Sequence, residues 1–153
     1  LGDVYKRQDM ACAGRLGMEL QPKQMNAEEK AFARKAIESY KGYRDIVMEG
    51  DLYRIGTPYD DTGYYGVMYV SKDKKKAVLF TYCTLYQSRT LVPKYRLYGL
   101  DAQTRYKIRE QNVDKKRFWF DGGTFTGEYL NHAGINPNLN KIYDSAVFVL
   151  EAE

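Results

Sequence analysis

A chain of 153 residues with 44% hydrophobic and 29% charged residues is long enough for one domain with its own core and has the composition of a soluble globular protein. The formal net charge of +4 is too mild for the concentrated basic face of a nucleic-acid binder, and no apolar run approaches the roughly 20 residues of a membrane helix. Cys12 and Cys83 sit in apolar or small-residue runs and read as two buried thiols with no zinc spacing, while His132, the only histidine, has no Cys, His or Glu at ligand spacing and no nucleophile motif beside it, so neither a metal nor a cofactor is expected.

The chain begins at Leu1. Residues 3–8, Asp-Val-Tyr-Lys-Arg-Gln, are what the mosaic-end DNA of a transposase sequencing adaptor encodes in frame. Residues 1–8 are therefore expected to be an adaptor-derived scar and are set aside from the fold. No apolar leader with a small-residue cleavage site follows. Residues 10–13, Met-Ala-Cys-Ala, read as a short buried strand that Gly14 and Gly17 break into a loop before Pro22.

The clearest element is a helix that starts at Asn26. Asn26 with Glu29 forms a capping-box pattern, and Glu28 and Glu29 suit the positive end of the helix. Phe32, Ala36, Tyr40, Tyr43 and Val47 recur every three or four residues, and Ile37 widens that stripe. Gly42 weakens the middle and Gly50 ends the segment. An amphipathic face of this kind must pack against something.

After Gly50 the period changes from helical to extended. Residues 52–55, 64–71 and 77–84 read as strands, the last two joined by the charged turn Lys72-Asp73-Lys74-Lys75-Lys76. Val67-Met68-Tyr69-Val70 and Val78-Leu79-Phe80 are apolar in every position, so both faces of this hairpin should be covered. Further strands are expected at 95–98, 105–111, 116–120 and 143–150, with 121–140 as loop. The expected fold class is mainly β, an antiparallel β-sandwich preceded by one amphipathic helix and a short strand, with a domain boundary near Gly50.

Chemistry-bearing patterns are sparse. The lysines around Lys74 and the run Lys115-Lys116-Arg117 read as solvated charges that discourage edge pairing, rather than as a phosphate-binding patch. Asp60-Asp61 lies between Pro58 and Gly63 and reads as a turn, not as an acid–base pair. The 15 tyrosines and Trp119 are suited to stacking on sugar rings, but most fall in expected strands, where a core role is favoured. Gly122-Gly123 lacks the helix and lysine of a phosphate loop. The residues by themselves indicate a helix plus β-sandwich with no self-contained active site.

The motifs in their order carry a resemblance. Gly14-Arg15-Leu16-Gly17-Met18-Glu19-Leu20 leads into the capped helix, which runs through Tyr40-Lys41 and Arg44-Asp45 to Gly50-Asp51-Leu52-Tyr53-Arg54 and Thr57-Pro58-Tyr59. This resembles the end of the catalytic barrel in glycoside hydrolase family 36 alpha-galactosidases, where a G-D-x-Y-R…P-Y junction enters a C-terminal β-sandwich. Met68-Tyr69-Val70, Lys76-Ala77-Val78-Leu79-Phe80, Arg96-Leu97-Tyr98-Gly99-Leu100-Asp101 with Tyr106-Lys107-Ile108, and Thr126-Gly127-Glu128-Tyr129-Leu130 with Gly134-Ile135-Asn136 resemble later family elements. Departures occur at Asn131-His132-Ala133 and at residues 115–120.

The resemblance implies a bacterial fragment in which residues 9–50 are the last strand and helix of a truncated (β/α)8 barrel and residues 51–153 are the C-terminal β-sandwich domain. It implies a parent enzyme that hydrolyses terminal alpha-galactosides with retention, using two aspartates whose carboxyls stand roughly 5–5.5 Å apart. Both aspartates would lie upstream of Asp9, so no catalytic residue is expected here and the fragment is expected to be inactive alone. Cys12, Ala13 and Gly14 would lie near the barrel's active face, where small residues leave room for substrate. The implied partners are the N-terminal and catalytic barrel domains of the same protein, the galactoside only in the intact parent, and a second copy in a homo-oligomer. A bacterial cytoplasm or periplasm would be the compartment. The helix stripe would normally meet the barrel; in the fragment it must fold onto the sandwich or stay exposed, and the isolated chain is expected to be marginally stable and prone to aggregate.

Overall fold

The computed structural model describes residues 10–16, 23, 25–59, 61–85, 93–111, 113 and 115–153. The helix expected from Asn26 is present as α1 (Ala27–Glu49). The Asn26 side chain accepts from the Glu29 N–H and the Glu29 carboxylate accepts from the Asn26 N–H, both at 2.9 Å, so two otherwise orphaned donors of the first turn are satisfied. Its other end closes at Gly50, whose N–H donates to Ile46 O at 2.8 Å. The apolar stripe is buried over the second half of the helix, through Ala36, Tyr40, Tyr43, Ile46 and Val47, while Phe32 and Ile37 are half-buried.

Six strands follow: β1 (Asp51–Ile55), β2 (Tyr64–Val70), β3 (Lys76–Cys83), β4 (Arg105–Glu110), β5 (Thr124–Thr126) and β6 (Asp144–Ala152). They form an antiparallel sheet in the order β1-β2-β3-β6-β4-β5, so the last strand is inserted between β3 and β4. The β2–β3 hairpin pairs Val70 with Ala77 next to the charged turn, as the sequence indicates. In that turn Lys74 takes φ 58, and Asp73 accepts from the Ser71 hydroxyl and the Lys75 N–H.

Alternation along the strands divides the core into two clusters, one on each face. Val78, Phe80, Tyr82 and Val147 face one way and meet Tyr40, Tyr43, Ile46, Val47 and Cys12. Met68, Val70, Leu79, Tyr106, Ile108, Phe148 and Leu150 face the other way and are covered by Tyr95, Leu97, Phe118, Phe120, Leu130, Ile135 and Leu139. The second covering layer therefore consists of loop segments and the short helix α2 (Gly127–His132) rather than ladder-paired strands. Both faces of the central strands are covered, as their continuous apolar runs require.

Four local expectations are corrected. Residues 10–12 form a helical turn instead of a strand, with Ala13 N donating to Met10 O and Gly14 N to Ala11 O. This Met-Ala-Cys-Ala run has no β-branched or aromatic residue to favour extension, and no described strand lies beside it. Residues 95–98 alternate between buried and exposed as a strand would, but only Tyr95 pairs, in an isolated bridge with Ile135. Leu97 N instead donates to Leu130 O, at the end of α2. Residues 116–120 form a turn in which Phe118 and Phe120 point inward and Trp119 outward. Finally, 121–140 contains β5 and α2. Thr126 caps α2 by accepting from Tyr129 N–H, a signal hidden behind the glycines at 122 and 123.

Candidate functional site

The sequence assigns no catalytic residue. Among the described residues no group of three His, Cys, Asp or Glu side chains could hold a metal ion. Asp61 is an exposed turn residue, and Asp60 lies outside the described residues. Among the described residues, Asp73, Asp101 and Glu153 have their acidity shifted downward. The Thr104 hydroxyl, with the Thr104 and Gln103 N–H groups, holds Asp101 below the ordinary carboxylate range. The Ser71 hydroxyl and the Lys75 N–H act the same way on Asp73, and Lys107 with the Thr124 hydroxyl on Glu153. A glycosidase general acid needs the opposite shift, so these are turn and edge anchors.

The two thiols are buried on opposite faces of the sheet, Cys12 in the helix-side cluster and Cys83 in the other. Burial pushes the Cys83 thiol up, away from the thiolate a nucleophile needs. Around Cys12 the chain is fastened by two tyrosines: Tyr40 OH donates to Gly14 O and Tyr69 OH to Ala13 O, each at 2.8 Å. A side chain at Gly14 would meet nothing within 4 Å, so the position faces open space.

Most tyrosines serve the core. Tyr95 is buried and donates to Tyr82 O, with its phenol pushed well above its ordinary value by that burial. Tyr106 OH donates to Lys74 O at 2.7 Å and accepts from Asp101 N–H, linking the β2–β3 turn to the turn before β4. Two of the four lysines of the charged turn are paired locally: Lys72 with Asp51, and Lys76 with Glu151 at 2.9 Å.

The run at 115–117 divides. Lys115 and Lys116 are exposed and, with Lys107 and Arg109, line a shallow cleft of about 350 Å³. Arg117 turns the other way. It pairs with the Glu110 carboxylate, whose side chain is fully buried, donates to Ser145 O at 2.9 Å, lies 3.5 Å from the Asp144 carboxylate, and stacks over Phe118 at 5.0 Å. Sequence reasoning missed this cluster because Glu110 ends an alternating strand and its inward phase is visible only through Tyr106 and Ile108.

One group of aromatics does reach solvent. Trp119 is 68% exposed, against fully buried Phe120 beside it. Its ring stands perpendicular to Phe120 and to Phe125 at 5.8 and 5.7 Å, and Phe125 in turn stacks on Tyr129 of α2 at 5.4 Å. His132 is exposed on the same short helix.

The sequence profile described as the glycosyl hydrolase family 36 C-terminal domain matches residues 64–150. Alpha-galactosidase 2 of Hypocrea jecorina is 32% identical over 141 residues, 92% of this chain and 17% of that protein. Probable alpha-galactosidase G of Aspergillus terreus is 30% identical over 92% of this chain and 18% of its own length. Among solved structures, the family 36 alpha-galactosidase AgaB of Geobacillus stearothermophilus superposes with a TM-score of 0.82 at 26% identity, covering 96% of this chain and 19% of that one. The chain thus spans about a fifth of the length of the relatives it matches.

Proposed function

This chain belongs to the family of glycosyl hydrolase family 36 C-terminal domains, and on that premise we propose that it is a non-catalytic C-terminal module of an alpha-galactosidase. The parent would remove terminal alpha-galactosyl groups with retention of configuration, using two carboxyls held elsewhere in the protein. We place the module at residues 51–153 and assign residues 9–50 to the end of the catalytic barrel, with 1–8 as the adaptor scar.

The observation that carries this reading is the near-complete match of this chain to one part of much longer alpha-galactosidases; Asp73, Asp101 and Glu153 are engaged as turn and edge anchors. Helix α1 gives the module a physical role. It buries one face on the sheet and leaves its other face outward along most of its length, so it can be sandwiched between this sheet and a neighbouring layer. The relatives include fungal and bacterial proteins, and they lend no preference to the bacterial source the sequence suggested.

The test is reconstitution. The purified chain should not turn over p-nitrophenyl alpha-galactoside. Grafted in place of the matching segment of the Geobacillus stearothermophilus enzyme, it should restore soluble, active protein that the segment-deleted enzyme lacks. Turnover by the chain alone, abolished by changing one of its carboxylates, would overturn the proposal.

A further inference from the structure

We propose that the cleft lined by Lys107, Arg109, Lys115 and Lys116 binds a phosphate group, either inorganic phosphate or the phosphoryl end of a small phosphomonoester. The sequence reads Lys115 and Lys116 as solvated charges that discourage edge pairing, but the edges of the sheet are β1 and β5, and the run lies on neither. Arg117, next in the run, turns inward to the buried Glu110. Lys115 and Lys116 stay exposed and line the cleft.

The charges around the cleft do not cancel. Its lining includes two carboxylates, Glu110 and Asp121. Glu110 is paired with Arg117, and Lys107 with Glu153 at 2.9 Å, both partners lying outside the lining. Asp121 accepts from the Glu110 N–H at 2.9 Å. Arg109, Lys115 and Lys116 make no ion pair among the described residues. Three cations therefore face one carboxylate, a net of +2, around about 350 Å³. A singly charged anion would leave half of that uncompensated. A phosphate group, at about −2 near neutral pH, matches it.

The backbone beneath these cations is fixed. Lys107 and Arg109 lie on one face of β4, roughly 7 Å apart along a strand that pairs with β6. Beyond β4, Gln111 N donates to Val147 O at 2.8 Å, Lys35 Nζ of α1 to Val113 O at 3.3 Å and Arg117 to Ser145 O at 2.9 Å. Binding then has only the ends of the side chains to order. A guanidinium presents a planar fork that matches two oxygens of one phosphate, while ammonium groups act as point charges on the others. Arg109 thus sets orientation, and Lys115 with Lys116 adds attraction. A second recess of about 200 Å³ shares Lys107 and Arg109 and is bordered by Ser39, Gly42 and Gln111. It offers the remainder of a phosphomonoester a polar place to lie.

Calorimetry at constant ionic strength should compare inorganic phosphate, glucose 6-phosphate and acetate. Saturable binding of a phosphate, weakened by added salt, with none of acetate, is the expected result. Tighter binding of the ester would identify a phosphomonoester as the ligand, and equal affinities the free ion. Arg109→Gln should weaken binding roughly 10-fold. Arg109→Lys should weaken it about 3-fold, because the charge remains and the fork is lost. Lys115→Gln with Lys116→Gln should weaken it roughly 10-fold. Lys41→Gln with Arg44→Gln removes the same charge from exposed positions of α1 outside the cleft and should change it by about 2-fold or less. All five side chains are exposed, and an unchanged melting temperature checks that each variant is folded.

No saturable binding of either phosphate by the folded chain would overturn the site. So would equal losses in the two double variants, which would make the attraction a property of net charge. Binding of a single-stranded oligonucleotide with both small phosphates silent would also overturn it and make this face a surface for polyanions.

Discussion

Asp101 shows how a single side chain organises a turn here. Its carboxylate accepts three hydrogen bonds from Thr104 and Gln103, and its folded acidity lies below the ordinary value of 3.8. A group depressed on folding contributes stability above its unfolded value and loses it as pH falls through the folded value. The gap in melting temperature between the parent chain and Asp101→Asn is therefore expected to shrink as pH is lowered from 7 to below about 3.8; a gap that stays constant would remove this role. Arg117 makes the opposite point, since it is a basic-run residue that acts inward. Arg117→Met leaves the buried Glu110 carboxylate short of its main cation. Removing one partner of a buried pair costs up to about 3–5 kcal/mol, which the partial exposure of Arg117 reduces to about 1–3 kcal/mol. Urea denaturation should show that loss, and Arg117→Met with Glu110→Met should recover most of it. The capping pair Asn26 and Glu29 was legible in the sequence because both partners lie three residues apart. The Arg117–Glu110 pair was not, because its geometry depends on which way β4 faces.

At the scale of elements, α1 is anchored at one end more than the other. Tyr43 is 1% exposed and meets Tyr40 and Phe80 edge to face at 5.7 and 5.9 Å. Tyr43→Ala would leave a cavity at the helix–sheet seam and is expected to cost about 3–5 kcal/mol in chemical denaturation. Gly42, beside it, faces open space. Gly42→Ala meets no obstacle and removes backbone freedom from the unfolded chain, so it should raise stability by about 0.5–1 kcal/mol. If the alanine destabilises instead, the outward face at 42 is occupied in solution. The helix and the β2–β3 hairpin were readable because their periods are local. The loop layer at 93–139 was not. Its apolar residues alternate like strands, but their backbone partners, such as Ile135 for Tyr95 and Leu130 for Leu97, are distant in the chain.

For the whole molecule, the outcome turns on where the helix stripe goes. The sequence left two places for the stripe in this chain, the sandwich or solvent, and implied an aggregating fragment. In the structure its second half fills the sheet face with Tyr40, Tyr43, Ile46 and Val47, so helix and sheet share one cluster. Loss of helical circular dichroism and loss of the near-ultraviolet tyrosine signal are therefore expected to coincide in one thermal transition. Two separated transitions, the helix first, would mean that α1 needs its barrel neighbours to stay docked.

What the sequence by itself determined were features set by neighbours in the chain: the capped helix, the hairpin with both faces apolar and the burial of both thiols. The order of motifs also carried the family. The tertiary structure alone decided that β6 inserts between β3 and β4, that residues 10–12 coil instead of extending, that Arg117 turns inward and that Trp119 turns out. Each of these depends on which distant backbone or side chain satisfies a hydrogen bond or closes a core face. Local propensity does not encode that choice; the packing of the assembled sheet does.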